Sequence, residues 1–173
     1  MKPRKTKTIK LGKAAVSSAV IHIEWSHSPL FALQEFGQKG ARAVSALGMF
    51  GTFEAVTSLC QQVRDCFCGA IDAITPHPAA QHLGEAFDSL KMLEQFMDMA
   101  DSSSEGARNK HSADFCRLVG DVIGFYASQA GKSMERAEIA LGQEPTCGFL
   151  DNEKQSSEQQ KQTQGEGQLV GAQ

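Results

Sequence analysis

The feature that most constrains the fold is a run of apolar residues spaced by three and four positions through the middle of the chain. In an α-helix such residues fall on one face, and burial of that face supplies most of the helix's stability. The run predicts a long helix that begins near Thr52 and ends at the segment TPHP, because each proline disfavours helix at the residue before it. Its apolar positions are Val56, Cys60, Val63, Phe67, Ile71 and Ile74.

An earlier segment predicts a first helix with a well-defined start. Ser28 is a favourable N-cap residue, and Pro29 suits the first helical position, where its missing N–H has no partner to lose. Gly37 and Gly40 each lower helix stability by about 1 kcal/mol relative to alanine, so this helix is expected to be bent or broken. The apolar positions that follow helical spacing are Leu30, Leu33, Phe36, Val44 and Leu47.

Two later segments repeat the pattern, one over residues 83–99 and one over residues 112–142. Gly142 is suited to end the last helix, because glycine commonly follows the final helical residue. Four apolar stripes joined by short polar connections predict a mainly α protein, a four-helix and mostly antiparallel bundle.

A different pattern precedes these helices. Ala19, Ile21, Ile23 and Trp25 alternate with Val20, His22 and Glu24 in the segment AVIHIEW. Period-two spacing and β-branched residues predict a short strand at about 19–25. Such a strand needs a partner, either residues 6–11 in a hairpin or a strand of a second copy across a dimer.

Composition divides the chain into three parts. Residues 1–13 are expected to form a basic flexible arm, and residues 14–147 a single helical domain that includes the strand. Residues 148–173 are expected to be a disordered tail, because the end of the chain holds seven glutamines after Leu150 and scarcely any large apolar residue.

The arm carries six basic residues before the first acidic one, Glu24, whereas residues 24–142 hold nine basic and fifteen acidic residues. Lysine and arginine neutralise phosphates and release counterions, so a flexible basic arm is a candidate contact for nucleic acid. A solvated lead-in without a ligand and an organellar targeting segment are the alternatives. The candidate nucleic-acid-binding residues are Lys2, Arg4, Lys5, Lys7, Lys10 and Lys13.

The cysteines favour a reducing compartment, which we take as cytoplasmic, with organellar targeting left open. Five is an odd number, and a chain of this length needs no disulfides to stabilise its core. Cys60, Cys66 and Cys68 do not have the spacing of a zinc site, because on one helix they point in different directions. No metal or other cofactor is predicted.

No complete catalytic motif is found. The segment QAGKS at 129–133 ends like a phosphate-binding loop but lacks its first glycine, and it lies inside a helical stripe. Glu24 and His27 have the spacing of a di-iron ligand pair, but the motif occurs once where two are needed. Arg108 and His111 are interpreted as loop and helix-start residues.

We therefore expect a non-enzymatic interaction or assembly protein that binds a protein partner or itself as a homo-oligomer, without a membrane span. The candidate interface residues fall outside the main stripes, and methionine suits adaptable contacts; they are Leu59, Ala70, Met92 and Met99. Two alternatives stay open: nucleic-acid binding through the arm, and a metal-dependent or hydrolytic enzyme built on a helical bundle.

Overall fold

The computed structural model describes residues 10–104 and 113–150, and these residues form four α-helices. Their bounds are α1, Lys13–Lys39; α2, Ala41–Ile74; α3, Pro78–Ser104; and α4, Ala113–Ala140. The prediction of a mainly α protein with four helices is confirmed. The predictions of a basic flexible arm and of a disordered tail fall mostly on residues 1–9 and 151–173, which lie outside the described residues.

The helices pack in the order of the chain, and α1 closes the arrangement by contacting α4. α2 also contacts α4, across the middle of the bundle. Near one end Gly37 meets Gly124, while closer to the other end His27 contacts Glu138. Residue numbers therefore rise along α1 as they fall along α4, so these two helices are antiparallel.

The predicted strand at 19–25 is wrong, because these residues belong to α1. Ala19 and Ile23 are buried in the core, and Ile21 and Trp25 lie on the outer face of the same helix. The buried positions of α1 follow helical spacing from the start, and burying that face outweighs the β propensity of the short alternating run. Those positions are Ala19, Ile23, Ser26, Leu30 and Leu33.

The predicted start of the first helix at Ser28 is also wrong, since α1 begins at Lys13 and contains Pro29 in its interior. The helix ends at Lys39 because Gly40 adopts φ 45°, a conformation that favours glycine. α2 follows at once and bends at Gly48, where φ is 72°. Thr52 does not begin a helix; its hydroxyl donates to the Gly48 carbonyl oxygen at 2.7 Å.

Where α1 ends and α2 begins, the backbone of the chain lies in direct contact with the backbone of α4. A Cβ atom on Gly37 would overlap the backbone of Gly124, and one on Gly120 would overlap the backbone of Gly40. We call this part of the bundle the glycine end and define it by Gly37, Gly40, Gly120 and Gly124. Further along α2, on either side of the bend at Gly48, the apolar side chains of Leu47 and Phe50 are 51% and 64% exposed.

Within the described ranges, α2 is long and apolar enough to cross a membrane by length and composition alone. The core helix of a soluble bundle meets the same criteria, so one such helix is weak evidence for a span. α2 contacts all three other helices, which is typical of a bundle helix.

Candidate functional sites

Two of the six predicted nucleic-acid-binding residues fall in the described part of the chain. Lys10 precedes α1 and Lys13 is its first residue, and both side chains are exposed. Lys2, Arg4, Lys5 and Lys7 lie outside the described residues. Binding of nucleic acid by the arm thus stays a prediction.

The predicted interface residues do not share one surface environment. Met92 and Met99 lie two turns apart on the outer face of α3 and are 49% and 68% exposed. Leu59 is half-buried against the core. Ala70, which the pattern placed outside the main stripe, is completely buried.

The outer face of α1 carries a seam that the sequence analysis missed. Six residues repeat at alternating intervals of four and three, which places them along one side of the helix. Ile21 and Trp25, at its centre, are 44% and 63% exposed. The seam consists of Ala14, Ser18, Ile21, Trp25, Ser28 and Ala32. The seam was missed because residues 19–25 were predicted as a strand, although the spacing of four and three is visible in the sequence.

The segment after α4 folds back and is held against the helices. Phe149 is 1% exposed and stacks on Phe31, with ring centroids 5.7 Å apart. Its ring lies over Gly131, where a Cβ would come within 2.5 Å of the ring. The glycine of the segment QAGKS therefore makes room for Phe149, and Gly148–Leu150 belong to the folded part although the expected tail included them.

A buried carboxylate anchors this segment. Glu135 is completely buried, and its two oxygens accept the backbone N–H groups of Phe149 at 2.8 Å and Leu150 at 2.7 Å. Two N–H donors stabilise a carboxylate that burial would otherwise disfavour. Glu135 therefore belongs to the interior of the fold and not to the solvated side of α4.

One turn further along α4, Glu138 joins α1 to the returning segment. Its Oε1 lies 3.2 Å from Nε2 of His27 and accepts a hydrogen bond of 3.3 Å from the hydroxyl of Thr146. The same hydroxyl lies 3.7 Å from the sulfur of Cys147. A basic ring, a carboxylate, a hydroxyl and a thiol thus meet at the junction of α1, α4 and residues 143–150.

The electrostatics of this cluster favour a charged His27. Hydrogen bonds that the protonated His27 ring donates to the Cys147 side chain and to the Glu138 carboxylate raise the pKa of His27 to about 9, against an opposing effect of burial. The imidazolium form therefore persists through neutral pH. His27 and Glu138 are 18% and 6% exposed at their side chains, so solvent screens the pair only weakly.

The remaining cysteines do not form a site with one another. Cys60 and Cys116 are buried, and burial raises the pKa of the Cys60 thiol to about 12. Cys66 is half-buried and Cys68 is exposed. Among residues 10–104 and 113–150, no group of three or more histidine, cysteine or acidic side chains is arranged to hold a metal ion. The alternative of a metal-dependent or hydrolytic enzyme stays a prediction.

Comparison with known proteins gives no relative for this arrangement. No protein-family description, no curated protein and no solved structure matches the chain.

Proposed function

We propose that this chain is a helical interaction protein that assembles through the outer face of α1, and that its first partner is a second copy of the chain. The observation that carries the proposal is the exposed seam centred on Ile21 and Trp25. The proposed function is binding through this surface, without catalysis.

The seam has the composition of a helix-packing surface. Alternating intervals of four and three residues keep one side chain per turn facing a partner helix, as in coiled coils. Small residues flank the two large ones, since Ala14, Ser18 and Ser28 are exposed neighbours along the same line. Small side chains let a second helix approach closely, while the tryptophan supplies a large apolar contact area.

Self-association follows from the symmetry of such a surface. The seam has no charged member, so like charges do not oppose its contact with a second copy. A two-fold axis across it would pair Ile21 and Trp25 with the same residues of the second copy. The seam is short compared with obligate interfaces, so we expect a reversible dimer with micromolar affinity.

Sedimentation velocity across a concentration series, from low micromolar to several hundred micromolar, tests the proposal. The unmodified chain is expected to shift from monomer to dimer. The double substitution Ile21→Ser with Trp25→Ser should abolish the shift, and because both side chains are exposed it should change the free energy of unfolding by less than about 0.5 kcal/mol each.

The matched control replaces the predicted α3 residues, Met92→Ser with Met99→Ser. We expect this variant to dimerise like the unmodified chain. If the methionine variant alone becomes monomeric, the interface lies on α3 and the α1 seam is wrong. A chain that stays monomeric at every concentration contradicts self-association.

We propose nucleic-acid binding by the arm as a second function, on the observation that six basic residues precede the first acidic one. Fluorescence anisotropy with a labelled oligonucleotide, for the full chain and a version without residues 1–13, tests it. Six phosphate contacts predict a log–log salt slope of roughly −5, that is, about a thousandfold loss of affinity between about 50 and 200 mM salt. Equal affinity of the two versions contradicts it.

A further inference from the structure

The groove between α1 and α4 is filled over only part of its length. Residues 143–150, the returning segment, contact Gly131, Glu135 and Glu138, and all three of these α4 residues are buried. Towards the glycine end, Phe125 on the same helix is 56% exposed. The open part of the groove therefore begins beyond the last described residue of the returning segment, Leu150.

The returning segment runs along the groove in a defined direction. Thr146 donates to Glu138, whereas three residues later the ring of Phe149 lies over Gly131. Residue numbers along α4 fall towards the glycine end, so the segment runs from the end of α4 towards the glycine end. A chain that continues in this direction enters the open part of the groove.

The two helices present the same faces further along. On α1, intervals of three and four residues lead from Phe31, which stacks on Phe149, to Gln34 and Gln38. On α4, an interval of seven residues leads from Gly131 to Gly124. Gln34, Gln38 and Gly124 line a cavity of about 320 Å³. Its other lining residues are Gly37, Gly120, Asp121 and Phe125.

This cavity suits an extended peptide with a basic side chain. Its glycines leave the helix backbone open to close approach, and the amides of Gln34 and Gln38 can both donate to and accept from a peptide backbone. Asp121 is exposed one turn before Phe125. A lysine can cover an aromatic ring with its apolar stem while its ammonium group pairs with a carboxylate.

The chain supplies such a lysine at the matching distance. Asp121 lies ten residues before Gly131 on α4, which is about 15 Å along the helix axis. Lys154 follows Phe149 by five residues, and five extended residues span about 16 Å. Lys154 is also the first basic residue after Leu150.

We propose that residues 151–155 of this chain dock in the open groove as a continuation of the returning segment, with Lys154 over Phe125 and paired with Asp121. The tail predicted from residue 148 onwards then starts at Ser156. At 3.6 residues per turn, the groove lies roughly a third of a turn around α1 from the seam. The docking uses no seam residue, so either proposal can fail without the other.

Trypsin cleavage of the full chain tests the docking, because Lys154 and Lys161 are both followed by glutamine. In a brief digest at low micromolar concentration, mass spectrometry follows the products that begin at Gln155 and at Gln162. A free peptide of residues 148–168 gives the intrinsic ratio of the two cleavage rates. We expect cleavage after Lys154, relative to Lys161, to be at least about fivefold slower in the chain than in the peptide, since a docked bond is cut only when it opens.

A substitution in the groove tests the ion pair. Asp121→Asn keeps the shape of the side chain and removes its charge, so cleavage after Lys154 should become about twofold faster, the modest effect of an exposed pair. Cleavage after Lys161 should not change. The matched control is Asp88→Asn, at an exposed position of α3, and it should leave both rates unchanged. An Asp121→Asn chain that is cut after Lys154 at the rate of the unmodified chain overturns the pairing.

Two other results overturn the docking itself. If the ratio of the two cleavage rates is the same in the chain and in the peptide, residues 151–155 do not occupy the groove, and any occupant is a different molecule. If protection of the bond after Lys154 appears only as the protein concentration rises into the range where sedimentation shows dimers, the segment docks on a second copy and not on its own chain.

Discussion

The two ends of the α1–α4 contact are held together in opposite ways. Where α1 meets the returning segment, which we call the clamped end, specific side chains make the contact: His27 with Glu138, Glu135 with two backbone N–H groups, and Phe149 over Gly131. At the glycine end the helices touch through Gly37, Gly40, Gly120 and Gly124, with almost no side chain between them.

The difference shows that substitutions in one helix pair can lower stability for two unrelated reasons. At the clamped end stability depends on groups that are present, so truncating a side chain should be costly. At the glycine end it depends on atoms that are absent, so adding a single methyl group should be costly. Exposed side chains near either end should tolerate replacement.

The largest expected effect is that of Phe149→Ala. Phe149 is 1% exposed and fills the space between Phe31 and Gly131, so its truncation should lower the free energy of unfolding by about 3 kcal/mol. Phe50→Ala is the matched control, since Phe50 is 64% exposed and should cost less than about 0.5 kcal/mol. Urea unfolding followed by circular dichroism measures both. Equal effects would show that the returning segment is not clamped.

The next effect breaks the glycine end. Gly120→Ala would place a Cβ against the backbone of Gly40, and overpacking of this kind costs about 2 kcal/mol. Gly84→Ala is the control, because a Cβ on Gly84 in α3 meets nothing within 4 Å. There the substitution should stabilise the helix by up to about 1 kcal/mol. Urea unfolding followed by circular dichroism measures both variants. A Gly120→Ala variant as stable as the unmodified chain would contradict the close contact between Gly120 and Gly40.

The smallest effect is a pH dependence of the clamped end. The folded pKa of His27, raised to about 9, lies above its ordinary value of 6.5, so the stabilisation is fully present below about pH 6.5 and is lost as pH rises through 9. We expect a loss on the order of 1 kcal/mol between about pH 6 and 9.5. His27→Gln should remove this dependence, whereas His82→Gln, at a histidine 3.4 Å from Glu85 on the surface of α3, should keep it.

The sequence predicted the helices that have an unbroken stripe and missed features that depend on tertiary contacts. Of the predicted α2 stripe, Val56, Cys60, Val63, Phe67 and Ile74 are buried and Ile71 is half-buried, because burial of an amphipathic face dominates helix stability. The α1 prediction failed because Ala19, Ile21, Ile23 and Trp25 alternate with other residues as in a strand. Two of them, Ala19 and Ile23, are also four positions apart, which is the spacing of one helix face.

The candidate sites were harder to predict for a physical reason. His27 and Glu138 are 111 positions apart and meet only because α1 packs on α4. The reversal of residues 143–150 then brings the hydroxyl of Thr146, with Cys147 next to it, to the same carboxylate. Gly131 looked like part of a phosphate loop because its actual partner, Phe149, lies eighteen positions later. The α1 seam, in contrast, was visible in the spacing once a helix was assumed.

The most direct test of the central claim, that the outer face of α1 is an assembly surface, uses the single tryptophan of the chain as its probe. Trp25 is 63% exposed in the isolated chain, so acrylamide should quench its fluorescence efficiently at low protein concentration. As the concentration rises into the dimer range, we expect quenching to fall and the emission to shift to shorter wavelength. Quenching that stays equally efficient in solutions shown by sedimentation to contain dimers would contradict the claim.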